Sequence, residues 1–435
     1  MADLDSFAEA PAPEPDEPES KLFGFPLYVW VVLAAVAAVP VGLAWGKGAA
    51  ALDILPRLII KLIKALATPL IVLAILSALV SNVIRGRQGA RMMFYYLVNT
   101  IVAITIGLVF SNLIRPGVGS DLLSKTAAVP GKLIGGGDGS GGSAALKLLE
   151  DLIPESIGES FVRNHLAQLV IITLALGIGL TRIRDEQRAK GLRSVDTVID
   201  LVNVGFELLM RVLIWVVNLV PLAVFGVVAS NLGQRGLESF RSLLWFILVV
   251  LAGLACQICW YLGQMAVFAK MSPWRFLVGA KNVMATTLST ASTGATMPIT
   301  LKALTGPLGV SRQSSQLAAC VGTNFNNDGT ALYQASVVLF MAQAMGVSLS
   351  LTQQLIVVIT TVIASIGAGN IPSGGFVTLP LIFAAVGLPA DQIPIILTID
   401  WFLDRCRTTS NVLGDMTVAV LLDQTAEKAA PLPDS

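Results

Sequence analysis

Near the carboxyl end, Asp404, Arg407, Thr408, Asn411 and Asp415 stand at offsets 0, 3, 4, 7 and 11 in the run Asp404-Arg405-Cys406-Arg407-Thr408-Thr409-Ser410-Asn411-Val412-Leu413-Gly414-Asp415. At about 100° per residue these positions share an arc of roughly 100° on one helix. Two acids, a guanidinium, a hydroxyl and an amide in one stripe suit an ion or a zwitterion. Arg407 can clamp a carboxylate through two parallel hydrogen bonds, and Asp404, one turn away, can accept from an ammonium. An amino acid with an acidic side chain presents that pair of charges. An internal Arg407–Asp404 salt bridge is the plainer use of the same residues, with Arg405 available as well. A second polar segment, Asn324-Phe-Asn-Asn-Asp-Gly-Thr330, places Asp328 behind two amides, Asn326 and Asn327, and before Gly329. Their carboxylate, amide and backbone oxygens are hard ligands, suited in a broken helix to an alkali cation.

The elements that carry these groups are apolar. Hydrophobic residues make up 54% of the chain and charged residues 13%, with a mean hydropathy of +0.76; a soluble domain carries about 25% charge. Apolar runs of helix length recur at 25–45, 54–80, 94–114, 166–180, 201–228 and 243–268, and through much of 317–422. A bilayer span needs about 20 such residues. The pattern predicts an all-α, polytopic integral membrane protein, and ionisable side chains at that depth persist where they pair or line a wet cavity.

Net charge is +1, from 29 Lys+Arg and 28 Asp+Glu, and implies no nucleic-acid or polyacid partner. Residues 1–21 are acidic and Pro-rich and read as a disordered cytoplasmic tail; 425–435 read as a short carboxyl-terminal tail. Basic residues at Arg85, Arg87 and Arg91, between Arg182 and Arg193, and between Lys270 and Lys281 put those connections inside. The Gly/Ser-rich 131–143 then lies outside as a linker. The one histidine, His165, adjoins a loop. Cys256 and Cys259 have metal-ligand spacing but no second pair, so all four cysteines, with Cys320 and Cys406, read as buried free thiols.

The last third departs from simple spans. Ser289-Thr-Ala-Ser-Thr-Gly-Ala-Thr-Met-Pro298 has small and hydroxylated residues ending in Pro. Ser365-Ile-Gly-Ala-Gly-Asn-Ile-Pro-Ser-Gly-Gly375 repeats such a break, 74 residues on when measured from Pro298 to Pro372. Irregular backbone at membrane depth must be covered by protein or face water. Paired discontinuous elements beside intramembrane Asn and Asp are the pattern of a secondary transporter with inverted repeats.

Three motifs now in view, Asn326-Asn-Asp-Gly-Thr-Ala-Leu-Tyr333, Ser365-Ile-Gly-Ala-Gly and Asp400-Trp-Phe-Leu-Asp-Arg-Cys-Arg-Thr-Thr-Ser-Asn-Val-Leu-Gly-Asp415, occur in the order found in the glutamate/aspartate:cation symporters. The chain resembles that family from about Leu22 to Leu422. The resemblance implies eight transmembrane helices and two re-entrant hairpins, at about 276–304 and 350–385, in an elevator-type transporter. It implies a trimerising scaffold, mainly 22–82 and 140–235, and a mobile transport domain, mainly 91–115 and 239–424. Arg407 would hold the substrate side-chain carboxylate and Asp404 its amino group, with Thr330, Thr408, Asn411, Ser292 and Thr293 completing the site. Gly322, Asn326, Asn411 and Asp415 would serve one cation. Ser365, Ile366 and Ala368 would serve a second, and Tyr96, Asn99, Thr100, Asn326 and Asp328 a third. Gly367, Gly369, Pro372, Gly374 and Gly375 would loosen the second hairpin as a gate. The expected partners are a small acidic amino acid, the lipid bilayer and two further copies of the chain, with no prosthetic cofactor. The expected location is a bacterial inner membrane with the amino terminus inside.

Three positions depart from the family pattern. Asn327 stands where methionine is usual, Asn324 where threonine is usual, and Asn99 where a hydroxyl residue is usual. Each places an amide beside an expected cation position, which predicts coupling that is weakened, altered or linked to protons or potassium. Ala291 stands where archaeal relatives keep an arginine, and Arg405 supplies one from the last helix, as in animal members. Other functions remain open. C4-dicarboxylate carriers would not need Asp404 as an ammonium acceptor, and neutral amino-acid carriers usually lose the arginine at 407. An intramembrane aspartyl protease would need Gly-x-Gly-Asp, where Val412 interrupts. A substrate-gated channel could also line its pore with such a stripe.

Overall fold

The computed structural model describes residues 21–22, 24–81, 86–120, 156–162, 166–236, 241–367 and 374–425. His165, the 131–143 linker, Gly369, Pro372, Ala368 and nearly all of both tails lie outside these residues.

The regular structure of the described residues is helical apart from a small antiparallel pairing, Lys21 with Pro26 and Leu22 with Phe25. In order come α1 (Leu27–Trp45), a 3-10 segment (Gly46–Asp53), α2 (Ile54–Ser81), α3 (Gly86–Ile114), α4 (Ile157–Val162), α5 (Leu166–Ala189), α6 (Ser194–Val217) and α7 (Val220–Arg235). They are followed by α8 (Arg241–Val267), α9 (Pro273–Thr290), α10 (Thr293–Thr305), α11 (Arg312–Phe325), α12 (Asp328–Ala344), α13 (Leu351–Gly367), α14 (Gly374–Val386), a second 3-10 segment (Ala390–Ile396) and α15 (Leu397–Thr425). Segments 27–80, 87–114, 194–234 and 241–267 are long and apolar enough to cross a membrane.

The apolar run 201–228, read as one stretch, is two helices. α6 stops at Val217 because Pro221 sits in the first turn of α7. Proline has no N–H to continue the ladder and a φ suited to starting a helix. The two small-residue breaks fall between paired short helices. α9 and α10 pack together and are joined through Ala291 and Ser292, while α13 and α14 pack together on either side of 368–373. With 18, 13, 17 and 13 residues, each is shorter than the roughly 20-residue span requirement.

The heaviest packing falls into two groups: α1, α2, α5, α6 and α7 in one; α3 and α8 through α15 in the other. At the centre of the second, every residue of α12 except Gln343 is buried. α15 is buried without interruption from Arg407 to Leu422. A helix enclosed on all sides must satisfy its polar side chains within the protein, and that requirement shapes the site.

The cysteines correct one expectation. All four are free, but Cys256, Cys259 and Cys320 are exposed and Cys406 partly so. A thiol is apolar enough to face lipid, so the sequence reads the same for inward and outward positions.

Candidate functional site

α11 and α12 follow one another with two non-helical residues, Asn326 and Asn327, between them. Asn326 is extended, at φ −105° and ψ 94°, and α12 begins at Asp328. This frees the carbonyls at the end of α11 and the amides at the start of α12. The polar stripe of α15 lies against the break. Asn411 Oδ1 accepts from the Gly329 amide at 2.8 Å, and its Nδ2 donates to Thr330 Oγ1 at 3.2 Å and Asn327 Oδ1 at 3.3 Å. Asn326 Nδ2 donates to Asp415 Oδ1 at 2.8 Å and to the Asn411 carbonyl at 3.2 Å. Its own Oδ1 is buried without a hydrogen-bond partner among the described residues. Two glycines let these elements approach. A Cβ on Gly322 would collide with the Asp415 carboxylate. One on Gly414 would stand 2.7 Å from Asn326 Nδ2 and 3.1 Å from Asp328 Oδ2.

Asp328 is fully buried and receives two hydroxyl donors, Thr100 at 2.7 Å and Tyr261 at 2.7 Å. Tyr96 donates to the Ala318 carbonyl at 2.7 Å. Asn99, expected beside Asp328, is engaged with α8 instead. Its Oδ1 accepts from Trp260 Nε1 at 3.0 Å and Gln264 Nε2 at 2.6 Å, and its carbonyl accepts from Gln257 at 3.3 Å. Gln257, Trp260, Tyr261 and Gln264 escaped the sequence reading. Their offsets of 0, 3, 4 and 7 on one helix face were the signal.

Arg407 is fully buried. One nitrogen donates to Asp400 Oδ1 at 3.0 Å and another to Asp404 Oδ1 at 2.5 Å. Its guanidinium lies 3.9 Å over the Tyr333 ring, and Tyr333 OH donates to Asp400 at 2.7 Å. The plainer Arg407–Asp404 salt bridge is therefore formed, and a second acid shares the arginine. Asp400 was missed although it stands four residues before Asp404, on the same arc of the helix. Arg405 does not join Asp404; it lies 4.2 Å over the Tyr28 ring and donates to the Trp401 carbonyl at 2.7 Å.

The short helices bring their ends to this stripe. The Ala291 carbonyl is 3.5 Å from Thr408 Oγ1, and Ser292 caps α10 by accepting from the Ala295 amide, with Thr293 opening that helix. At the start of α14, beside Gly374, a Cβ on Gly375 would stand 3.0 Å from an Arg407 nitrogen. The Gly375 carbonyl accepts from Gln334 at 3.1 Å. Near the end of α13, which closes through Ile366 and Gly367, the Ser365 carbonyl accepts from Asn327 Nδ2 at 2.9 Å.

Among the described residues no three His, Cys, Asp or Glu gather as a metal cluster. Single carboxylates dispersed among amide, hydroxyl and carbonyl oxygens suit a weakly held alkali ion rather than zinc.

An all-helical, multi-pass membrane protein with a charged stripe against a broken helix has the build of a transporter. The chain belongs to the sodium:dicarboxylate symporter family, whose pattern matches residues 27–425. That is a family of cation-coupled transporters rather than enzymes. The chain is 27% identical to excitatory amino acid transporter 3 of Mus musculus, over 92% of this chain and 86% of the relative. It is 28% identical to the C4-dicarboxylate transport protein of Anaeromyxobacter sp. (strain K), over 92% and 89%. It is 29% identical to an excitatory amino acid transporter of Caenorhabditis elegans, over 82% and 78%.

Proposed function

We propose that the chain is a secondary active transporter that imports L-aspartate or L-glutamate with cations, sodium foremost, by elevator-type alternating access. One observation carries the substrate: Arg407 is buried and paired with Asp404, whose side chain is 25% exposed. An acidic amino acid can insert into that pair with charge conserved. Its side-chain carboxylate takes the Arg407 fork, and its ammonium takes the Asp404 carboxylate released. Thr330, Thr408, Asn411, Ser292 and Thr293 would complete that site.

Gly322, Asn326, Asn411 and Asp415 supply oxygens for one cation, with the unpartnered Asn326 Oδ1 as the clearest candidate ligand. Thr100 and Asp328 stand together for another. The two packing groups support a scaffold (22–82 and 140–235) and a moving domain (91–115 and 239–424), with 22–424 as the working core. The short helices α9, α10, α13 and α14 support two re-entrant hairpins beside eight spans, the second opening through Gly367, Gly369, Pro372 and Gly374. The assembly is a homotrimer in a bacterial inner membrane, amino terminus inside.

A second reading has an observation behind it. Arg407 is held by Asp400 as well as Asp404, so it stays anchored when a C4-dicarboxylate takes its free fork without an ammonium, and one similar protein is named a C4-dicarboxylate transport protein. It would leave Asp404 unpaired beside a second anion, which is costly in a buried site. Uptake of radiolabelled L-aspartate and succinate into proteoliposomes, under separately imposed sodium, proton and potassium gradients, decides the matter. Sodium-driven aspartate accumulation is expected. Succinate accumulation in place of aspartate would establish the second reading. Currents without accumulation would indicate a channel.

A further inference from the structure

Asn327 lies in the break between α11 and α12 and is 6% exposed. Its Nδ2 donates to the Ser365 carbonyl at 2.9 Å, and its Oδ1 accepts from Asn411 Nδ2 at 3.3 Å. Asn411 in turn holds the Gly329 amide and Thr330. One side-chain amide thus fastens the last turn of α13 to the α15 stripe and to the start of α12. Ser365 is 1% exposed, and carbonyls in the last turn of a helix lack intrahelical partners. Buried away from water, such a carbonyl must be met by a donor or a cation.

The other amide in the break behaves differently. Asn326 has an unpartnered Oδ1, which can meet an ion as it stands while Nδ2 keeps its hydrogen bonds to Asp415 and the Asn411 carbonyl. Asn327 has both ends engaged and cannot turn without giving up two hydrogen bonds. A methionine at 327, the usual residue in the chains this one resembles, could not donate to Ser365 at all.

We propose that the Asn327 amide replaces the cation implied at the Ser365 carbonyl, tying α13 to the stripe without an ion, so that transport uses one cation fewer than the three implied positions. The stoichiometric consequence rests on the symport reading; the tether does not.

Hydrogen exchange on the full-length protein in lipid nanodiscs tests it, with sodium chloride exchanged for choline chloride and no amino acid present. In the wild type, amides 361–367 should exchange within about twofold of the same rate in both salts. In Asn327→Met they should exchange about tenfold faster in choline, the scale of one buried hydrogen bond left unmade, and recover in sodium. Asn327→Asp, equal in size but with oxygen in place of the donor, should do the same and recover at lower sodium. Peptides of α3 serve as a fold control. If they also lose protection in Asn327→Met, the comparison rests on Asn327→Asp. Sodium protection of about tenfold in the wild type, or variants that stay unchanged in choline, would overturn the proposal. Failure of aspartate uptake would instead sink the substrate reading and leave this result standing.

Discussion

Replacing Arg407 removes the positive charge that Asp400 and Asp404 share. Arg407→Cys leaves buried Asp400 and part-exposed Asp404 without their shared cation, which destabilises the protein at neutral pH, and should reduce aspartate uptake at least about a hundredfold. Arg407→Lys separates folding from recognition. It keeps a charge for the acids but loses the fork, so thermal stability should fall little while uptake falls about tenfold or more. Aspartate uptake surviving Arg407→Cys would remove the arginine from the substrate site. Gly414→Ala probes the cation side. Its Cβ would crowd Asn326 Nδ2 at 2.7 Å and the Tyr261 hydroxyl at 2.9 Å. Overpacking costs about 1–3 kcal/mol, and the sodium concentration for half-maximal uptake should rise about tenfold. An unchanged sodium titration would place the cation elsewhere. The stripe was legible because a 3.6-residue period converts spacing directly into a face. Asp400 was harder to see because the apolar Trp401-Phe402-Leu403 separates it from the rest of the stripe. The α8 face was lost because Gln257 and Gln264 sit inside an apolar run, and one sequence does not say which helix Asn99 will meet.

At the scale of elements, Ala291 links α9 to α10 with φ +53°. A left-handed conformation costs a residue with a Cβ about 1–2 kcal/mol, so Ala291→Gly should stabilise the protein by about 0.5–1 kcal/mol, read as a higher Tm. A lower Tm would mean that packing around the methyl outweighs the backbone strain. Both breaks were readable from their glycine, serine and proline content. So was the interruption before Asp328, since Asn-Asn followed by Asp-Gly does not continue a helix well. The split of 201–228 was not, because hydropathy is continuous through Pro221 and a proline in a first turn looks no different from one in a kink.

For the molecule as a whole, the outward side of α6 carries Leu201, Val204, Leu208, Arg211 and Trp215, all exposed in the single chain. Their spacing of 3, 4, 3 and 4 is that of a helix–helix seam. Arg211 pairs with Glu207 on this side, and their side chains are 69% and 61% exposed. Lipid is a poor environment for such a pair, and neighbouring copies would cover it. Light scattering of the purified protein should therefore give a mass above that of one chain, three copies on the proposed assembly, and Leu208→Lys, which sets a second cation beside Arg211, should shift it toward monomer. A trimer indifferent to that change would move the interface off α6.

The Asn327 tether also sets an energetic ceiling. Each co-transported cation driven by a tenfold gradient supplies about 1.4 kcal/mol, plus about 2.3 kcal/mol per charge at 100 mV. A carrier that keeps its α13 fastened with a covalently attached amide forgoes that supply for one ion. Its steepest attainable solute gradient is several hundredfold shallower, and each molecule imported brings in one ion fewer for the cell to pump back out. Such a carrier suits a cell that scavenges where the solute is plentiful and membrane energy is scarce.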